Sequence, residues 1–259
     1  VASNDSFKKV ITVTLALCFV CSVIVSSAAV LLKPMQITNK ALDFKRNVVS
    51  IANINEPGKS VEQIYQSRVQ ARVVNLETGK FTDEIDAETF DQTKAAKDPA
   101  YSTSLSGSDD IAKINRRENY SLVYLIQDES GELEKIMLPV RGKGLWSTMS
   151  GLLVLEADLN TVAGFGFYEQ AETPGLGGEV DNPDWKAKWV GKQVYDDAGN
   201  TSLRVLKGSV DSASADAIHQ VDGISGATLT ANGVRNLIQF WLGDKGFKPF
   251  LTNLKEGEA

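Results

Sequence analysis

The sequence has one histidine, His219, and two cysteines, Cys18 and Cys21, among its 259 residues. So few ligands argue against a metal site built on His and Cys, and against a Ser-His-Asp triad around the lone His219. No EF-hand spacing occurs, so a calcium loop is not indicated. Excess positive charge is also lacking: the net charge is -6 and the pI about 5.0, with no basic stripe, which sets nucleic acid aside as a partner. No G-x-G-x-x-G follows a strand and opens a helix, so a dinucleotide-binding half is not expected. An internal repeat is absent too.

What is present begins with residues 10–32, VITVTLALCFVCSVIVSSAAVLL, a run without charge between Lys8-Lys9 and Lys33. As a helix it would reach roughly 35 Å at about 1.5 Å per residue, against a hydrocarbon core of about 30 Å. The run exceeds the usual hydrophobic region of a signal peptide, although Ser27-Ala28-Ala29 would suit a cleavage site. The retained anchor is favoured, in contact with membrane lipid. Both cysteines fall inside it, as small apolar residues facing lipid or a partner helix. The flanking lysines give only a slight positive-inside bias; the favoured orientation has residues 1–9 as a cytoplasmic tail and the remainder across the membrane.

After Pro34, Ile37, Ala41, Phe44, Val48 and Ile51 recur at helical spacing, predicting a helix over 36–54. Ser60 and Gln63 form a capping-box pattern before Ile64, Tyr65 and Val69, predicting a second helix. Residues 82–110 are polar and read as a loop. Residues 121–127, 135–140, 151–157, 161–169 and 203–207 read as strands, and the short turns between successive strands favour antiparallel pairing. The expected class is α+β: a mostly antiparallel sheet with flanking helices, preceded by a single transmembrane helix. The expected parts are 1–9, 10–32, a helical and loop segment 33–115, and a main domain 116–259.

Three segments are richer in glycine than turns require: RGKGLW (141–146), YEQAETPGLGGE (168–179) and DGISGATLTANGV (222–234). Glycine lets a backbone approach a ligand closely, so three such loops leaving one sheet would form one pocket; ordinary tight turns are the alternative. The third segment precedes an apolar helical series at Val234, Leu237, Ile238, Trp241 and Leu242. Ser225 or Thr228 would cap that helix, and the free N–H groups of its first turn would attract an anion. Capping alone does not account for Asp222, Ser225, Thr228 and Thr230 within nine residues.

Asp222-x-x-Ser225-Gly226-Ala227-Thr228-x-Thr230 resembles the flavinylation motif D-x-x-[S/T]-G-A-T-x-[S/T] of FMN-binding domains, matching every fixed position. That resemblance implies covalent FMN, joined through its phosphate to Thr230 by a Mg-dependent flavin transferase that uses FAD. Asp222, Ser225, Gly226, Ala227 and Thr228 would form the recognition segment, and 116–259 the FMN-binding domain. The membrane span, GKGLW, ETPGLGGE and the closing WLGDKGFKPFL are together similar to the C-subunit family of bacterial Na+-translocating NADH:quinone reductases. That similarity implies flavin contacts from Gly144, Leu145, Trp146, Glu172, Thr173 and Leu176. Leu145, Trp146 and Leu176 would be apolar contacts and Thr173 a hydrogen-bond partner. Glu172 reads either as a carboxylate opposing anionic reduced flavin or as a solvated loop residue.

The implied role is a single-electron relay between an iron centre in the membrane subunits and the FMN of the B subunit. The A, B, D, E and F subunits would be partners in a bacterial inner-membrane enzyme, with this domain in the periplasm. The competing readings are a flavinylated G subunit of an RNF-type, ferredoxin-linked complex, and an anchored binding protein holding an unmodified anion.

Overall fold

The computed structural model describes residues 6–259. The chain divides after Lys45 into two compact units. One long helix, α1 (Phe7–Ile51), forms the first unit, and its end from Arg46 onward belongs to the second. It is long and apolar enough to cross a membrane, and none of its most apolar window is buried within the protein. The sequence suggested a new helix after Pro34; instead α1 runs through that proline. The lost N–H of Pro34 removes one rung of the ladder, and the helix continues on both sides of it.

In the second unit, α2 (Val61–Arg68) starts at the expected capping box, with the Ser60 and Gln63 side chains each bonded to the other's backbone N–H. The chain leaves the helix at Val69 rather than carrying it onward, and β1 (Val69–Asn75) and β2 (Lys80–Thr82) form a hairpin. The polar stretch that follows holds α3 (Gln92–Ala95) and β3 (Ser102–Ser104), the latter paired with β4 (Arg116–Glu118). Then come β5 (Tyr120–Gln127), β6 (Leu133–Lys143), β7 (Thr148–Glu156) and β8 (Val162–Glu169). These complete a six-stranded antiparallel sheet of order β2-β1-β5-β6-β7-β8. A short helix α4 (Pro183–Ala187) follows, then β9 (Arg204–Val205), shorter than expected, and β10 (Gln220–Val221), which pair in parallel. Helices α5 (Thr228–Trp241) and α6 (Lys248–Glu256) close the chain. The class is α+β, as expected.

Two facts of this topology place the site. Lys143 pairs with Thr148 and Ser150 with Glu169, so the turn after β6 and the segment after β8 leave the same end of the sheet. Helix α5 then lies on β6 at close range: a Cβ on Gly142 would meet Leu237 Cβ at 2.6 Å, and one on Gly233 would meet the Lys143 carbonyl oxygen at 2.4 Å. Only glycine permits that approach, and it carries the first turn of α5 to the same end. Val234, Leu237, Ile238 and Trp241 are fully buried on the face that makes this contact. Each such side chain contributes about 1.5–3 kcal/mol, so the apolar face of α5 holds the helix in place. The Trp241 indole N–H adds a hydrogen bond of 2.7 Å to the Arg141 carbonyl.

Candidate functional site

The three glycine-rich segments do meet, and Glu172 is where they meet. Although it stands in a loop, Glu172 is only 5% exposed, so the solvated reading is wrong. Its Oε1 accepts from the backbone N–H groups of Trp146 and Ser147, each at 3.0 Å, and from Ser147 Oγ at 3.2 Å. Its Oε2 accepts from the Leu145 N–H at 3.1 Å and from Thr230 Oγ1 at 2.7 Å. The 168–179 segment thus supplies the carboxylate, the 141–146 segment and Ser147 clamp it, and α5 presents Thr230 to it. Burial alone would raise the Glu172 pKa, but the bonds from Thr230, Ser147, Trp146 and Leu145 outweigh that and hold it below the ordinary carboxylate value.

Glycines make room for this cluster. A Cβ on Gly144 would stand 2.6 Å from Glu172 Oε1, and one on Gly177 would stand 2.6 Å from Thr230 Oγ1. Gly226 adopts φ +73°, a backbone angle that turns the chain into α5 and that other residues rarely adopt.

The expected cap is absent. Neither Ser225 nor Thr228 caps α5: the N-cap is Ala227, which makes no side-chain cap hydrogen bond. Thr228 is already the first helical residue, and Ser225 lies in the preceding turn. The result is a helix start whose N–H groups have no side-chain cap, the arrangement that attracts an anion. Thr230 itself is 1% exposed.

Around this buried centre, large apolar side chains face outward. Trp146 is 67% exposed, so it is no core residue, and Leu145, Leu176 and Leu229 are exposed as well. Thr173 is exposed, and its carbonyl accepts from the N–H groups of Leu176 and Gly178. Asp222 stands apart from this cluster. Its carboxylate takes the Lys188 ammonium at 2.6 Å and the Val210 N–H at 2.6 Å, and its carbonyl accepts from the Trp185 indole at 2.9 Å. The Lys188 and Val210 bonds lower its pKa. Asp222 therefore ties the loop before α5 to α4, and it borders an open groove of about 600 Å³ that includes Lys188, Lys192 and Ile218.

The residues Ser147, Gly177, Leu229 and Gly233 also belong to this arrangement, and sequence reading did not single them out. Gly177 lies within a segment already marked by its glycines. Ser147 and Leu229 carry no pattern that separates them from neighbours.

Comparison with known proteins fits this geometry. The FMN-binding domain family matches residues 144–243, which contain the whole cluster. The C subunit of the Na+-translocating NADH-quinone reductase of Pseudomonas aeruginosa is 54% identical, with 100% of each chain covered. The chain belongs to this C-subunit family. Its Vibrio alginolyticus relative is 46% identical over 99% of this chain and 98% of its own. Among solved structures, NqrC of Shewanella oneidensis superposes with a TM-score of 0.78 at 38% identity, covering 85% of this chain and 99% of its own. The corresponding C subunit from Parabacteroides distasonis gives a TM-score of 0.67 at 28% identity, covering 85% of this chain and 97% of its own. As a member of the C-subunit family, the chain is part of the Na+-translocating NADH-quinone reductase and carries an FMN-binding domain.

Proposed function

We propose that this chain holds FMN as a phosphoester on Thr230 and relays single electrons within the reductase, in partnership with the A, B, D, E and F subunits. The observation that carries the reading is the position of Thr230: in the uncapped first turn of α5, hydrogen-bonded to Glu172, beside a surface of exposed apolar side chains. The residues fit the group. A phosphate on Thr230 would lie near the free N–H groups and positive end of α5. Leu145, Trp146 and Leu176 offer an apolar surface for the rings, and Thr173 lies exposed in the same loop as Leu176.

When bound, FMN supplies one-electron transfer, while the chain supplies fixation, orientation and local charge. Before attachment, Glu172 is kept ionised by its five hydrogen bonds and places negative charge beside the attachment oxygen. Asp222 and Ser225–Thr228 serve as the segment that the Mg-dependent flavin transferase recognises, with Asp222 and its groove on the accessible side. In this reading α1 is a single-pass anchor in the inner membrane and the globular unit lies in the periplasm.

Attachment is tested by coexpression with the transferase. Thr230→Ala is expected to abolish the flavin fluorescence that survives denaturing electrophoresis, together with the FMN mass increment on the α5 peptide. Labelling equal to that of the native chain would remove Thr230 as the site.

A further inference from the structure

The motif offers three hydroxyls, and exposure does not favour Thr230: Ser225 and Thr228 are open to solvent, whereas Thr230 is buried. What distinguishes Thr230 is its hydrogen-bond partner. A threonine hydroxyl is a weak nucleophile unless a neighbouring base takes its proton. Thr230 Oγ1 donates to Glu172 Oε2 at 2.7 Å, within the reach required of such a base. The other oxygen of Glu172 is pinned by Trp146 and Ser147, so the carboxylate cannot turn away without breaking those bonds. With its hydrogen directed at Glu172, the hydroxyl has its lone pairs directed elsewhere, available for bond formation.

We propose that Glu172 is the proton acceptor when Thr230 is joined to flavin, an inference that rests on Thr230 being the attachment residue. In the step, Thr230 Oγ1 bonds to the flavin-side phosphorus of FAD. The bond from that phosphorus to the bridging oxygen of the pyrophosphate breaks, and AMP leaves with the bridging oxygen and its electron pair. The threonine proton passes to Glu172 Oε2. Nothing is oxidised or reduced.

Charge supports this route. Before the step the buried pair holds one anion, the Glu172 carboxylate; afterwards it again holds one, the phosphodiester beside a neutral carboxylic acid. Without proton transfer to Glu172, two anions would face each other out of water, which is disfavoured. A carboxylate that is only a weak base suffices, because a hydroxyl becomes acidic as its bond to phosphorus forms. The catalytic aspartate of protein kinases accepts a hydroxyl proton in the same way.

The test uses the full chain, purified unmodified in detergent, with the transferase, Mg2+ and FAD; attachment is followed by intact mass. Glu172→Gln is expected to lower the kcat of labelling by about 100-fold or more, with the KM for this chain unchanged within about twofold. Glu172→Asp, which restores a carboxylate, is expected to label about tenfold faster than Gln. A Gln variant labelling within about threefold of the native rate overturns the proposal, as does an Asp variant no faster than Gln. Should the Gln variant lose its thermal transition, the Asp variant decides. A kcat about tenfold below native at unchanged KM supports the role, and a native kcat overturns it. Thr230→Ala separates the two readings. If it labels like the native chain, the attachment site is wrong whatever Glu172 does; if it stays unlabelled while Gln labels fast, only the role of Glu172 falls.

Discussion

Glu172 shows how one side chain can carry both stability and chemistry. Its pKa is held below the ordinary value of 4.5 in the folded chain because five hydrogen bonds outweigh its burial. The unfolded chain therefore binds more protons as pH falls below that ordinary value, and stability falls with it. This contribution is fully present above the unfolded value and is lost as pH falls through the folded one. Each such group adds a slope of up to about 1.4 kcal/mol per pH unit in that window. Denaturant titrations of the unmodified chain between pH 7 and pH 3 are expected to show the slope, and Glu172→Gln to show less of it. Equal slopes would mean that Glu172 is not held ionised by the fold. Asp222 remains in both proteins, its pKa lowered by the Lys188 bond, so some slope persists. The motif singled out Thr230 in the sequence as the candidate attachment residue, since its spacing is specific. The burial of Glu172 was not legible, because its donors are backbone N–H groups of residues 145–147, and no side-chain pattern announces a backbone donor.

Among the elements, long and periodic segments were the readable ones: the strands β5 to β8, the apolar face of α5 and the capping box of α2. Apart from α1, which continues through Pro34, the misread ones depended on partners distant in sequence. Val69 fits the helical spacing of Ile64 and Tyr65, but it pairs with Ile126 across the sheet, and tertiary pairing overrides local preference there. The polar stretch 82–110 looked like a loop because little in it is apolar. It is docked instead by a polar side chain: Gln92 donates to Glu118 Oε1 at 2.7 Å and accepts from the Leu122 N–H at 2.9 Å. Glu118 is fully buried, and Arg141 Nη2 reaches its other oxygen at 2.5 Å. Gln92→Ala removes both bonds to α3 and leaves a buried carboxylate oxygen and a strand N–H without that partner. The expected loss is about 1–3 kcal/mol, read as a shift in denaturant midpoint with unchanged slope. An unchanged midpoint would show that α3 is not locked through Gln92.

At the scale of the whole molecule, the sequence places the chemistry and the anchor in separate segments. The apolar stretch of α1 buries none of its most apolar window in the protein, and its charges, Lys8, Lys9 and Lys33, stand at the ends of the run. A lipid phase is the environment in which such a surface is stable, since its backbone groups, apart from the carbonyl that Pro34 cannot bond, are satisfied within the helix. A single crossing puts the residues before it and the globular unit on opposite faces of the membrane. The globular unit has no cysteine, so export would impose no disulfide requirement on its folding. The proposed covalent tether would also have a reason on the far side, where lost FMN would not be readily replaced. These arguments predict that alkaline phosphatase fused after Ala259 is active and remains with the inner membrane after an alkaline wash. A fusion that is expressed but inactive would place the globular unit in the cytoplasm, and active enzyme released into the soluble periplasmic fraction would mean that the run is removed rather than retained.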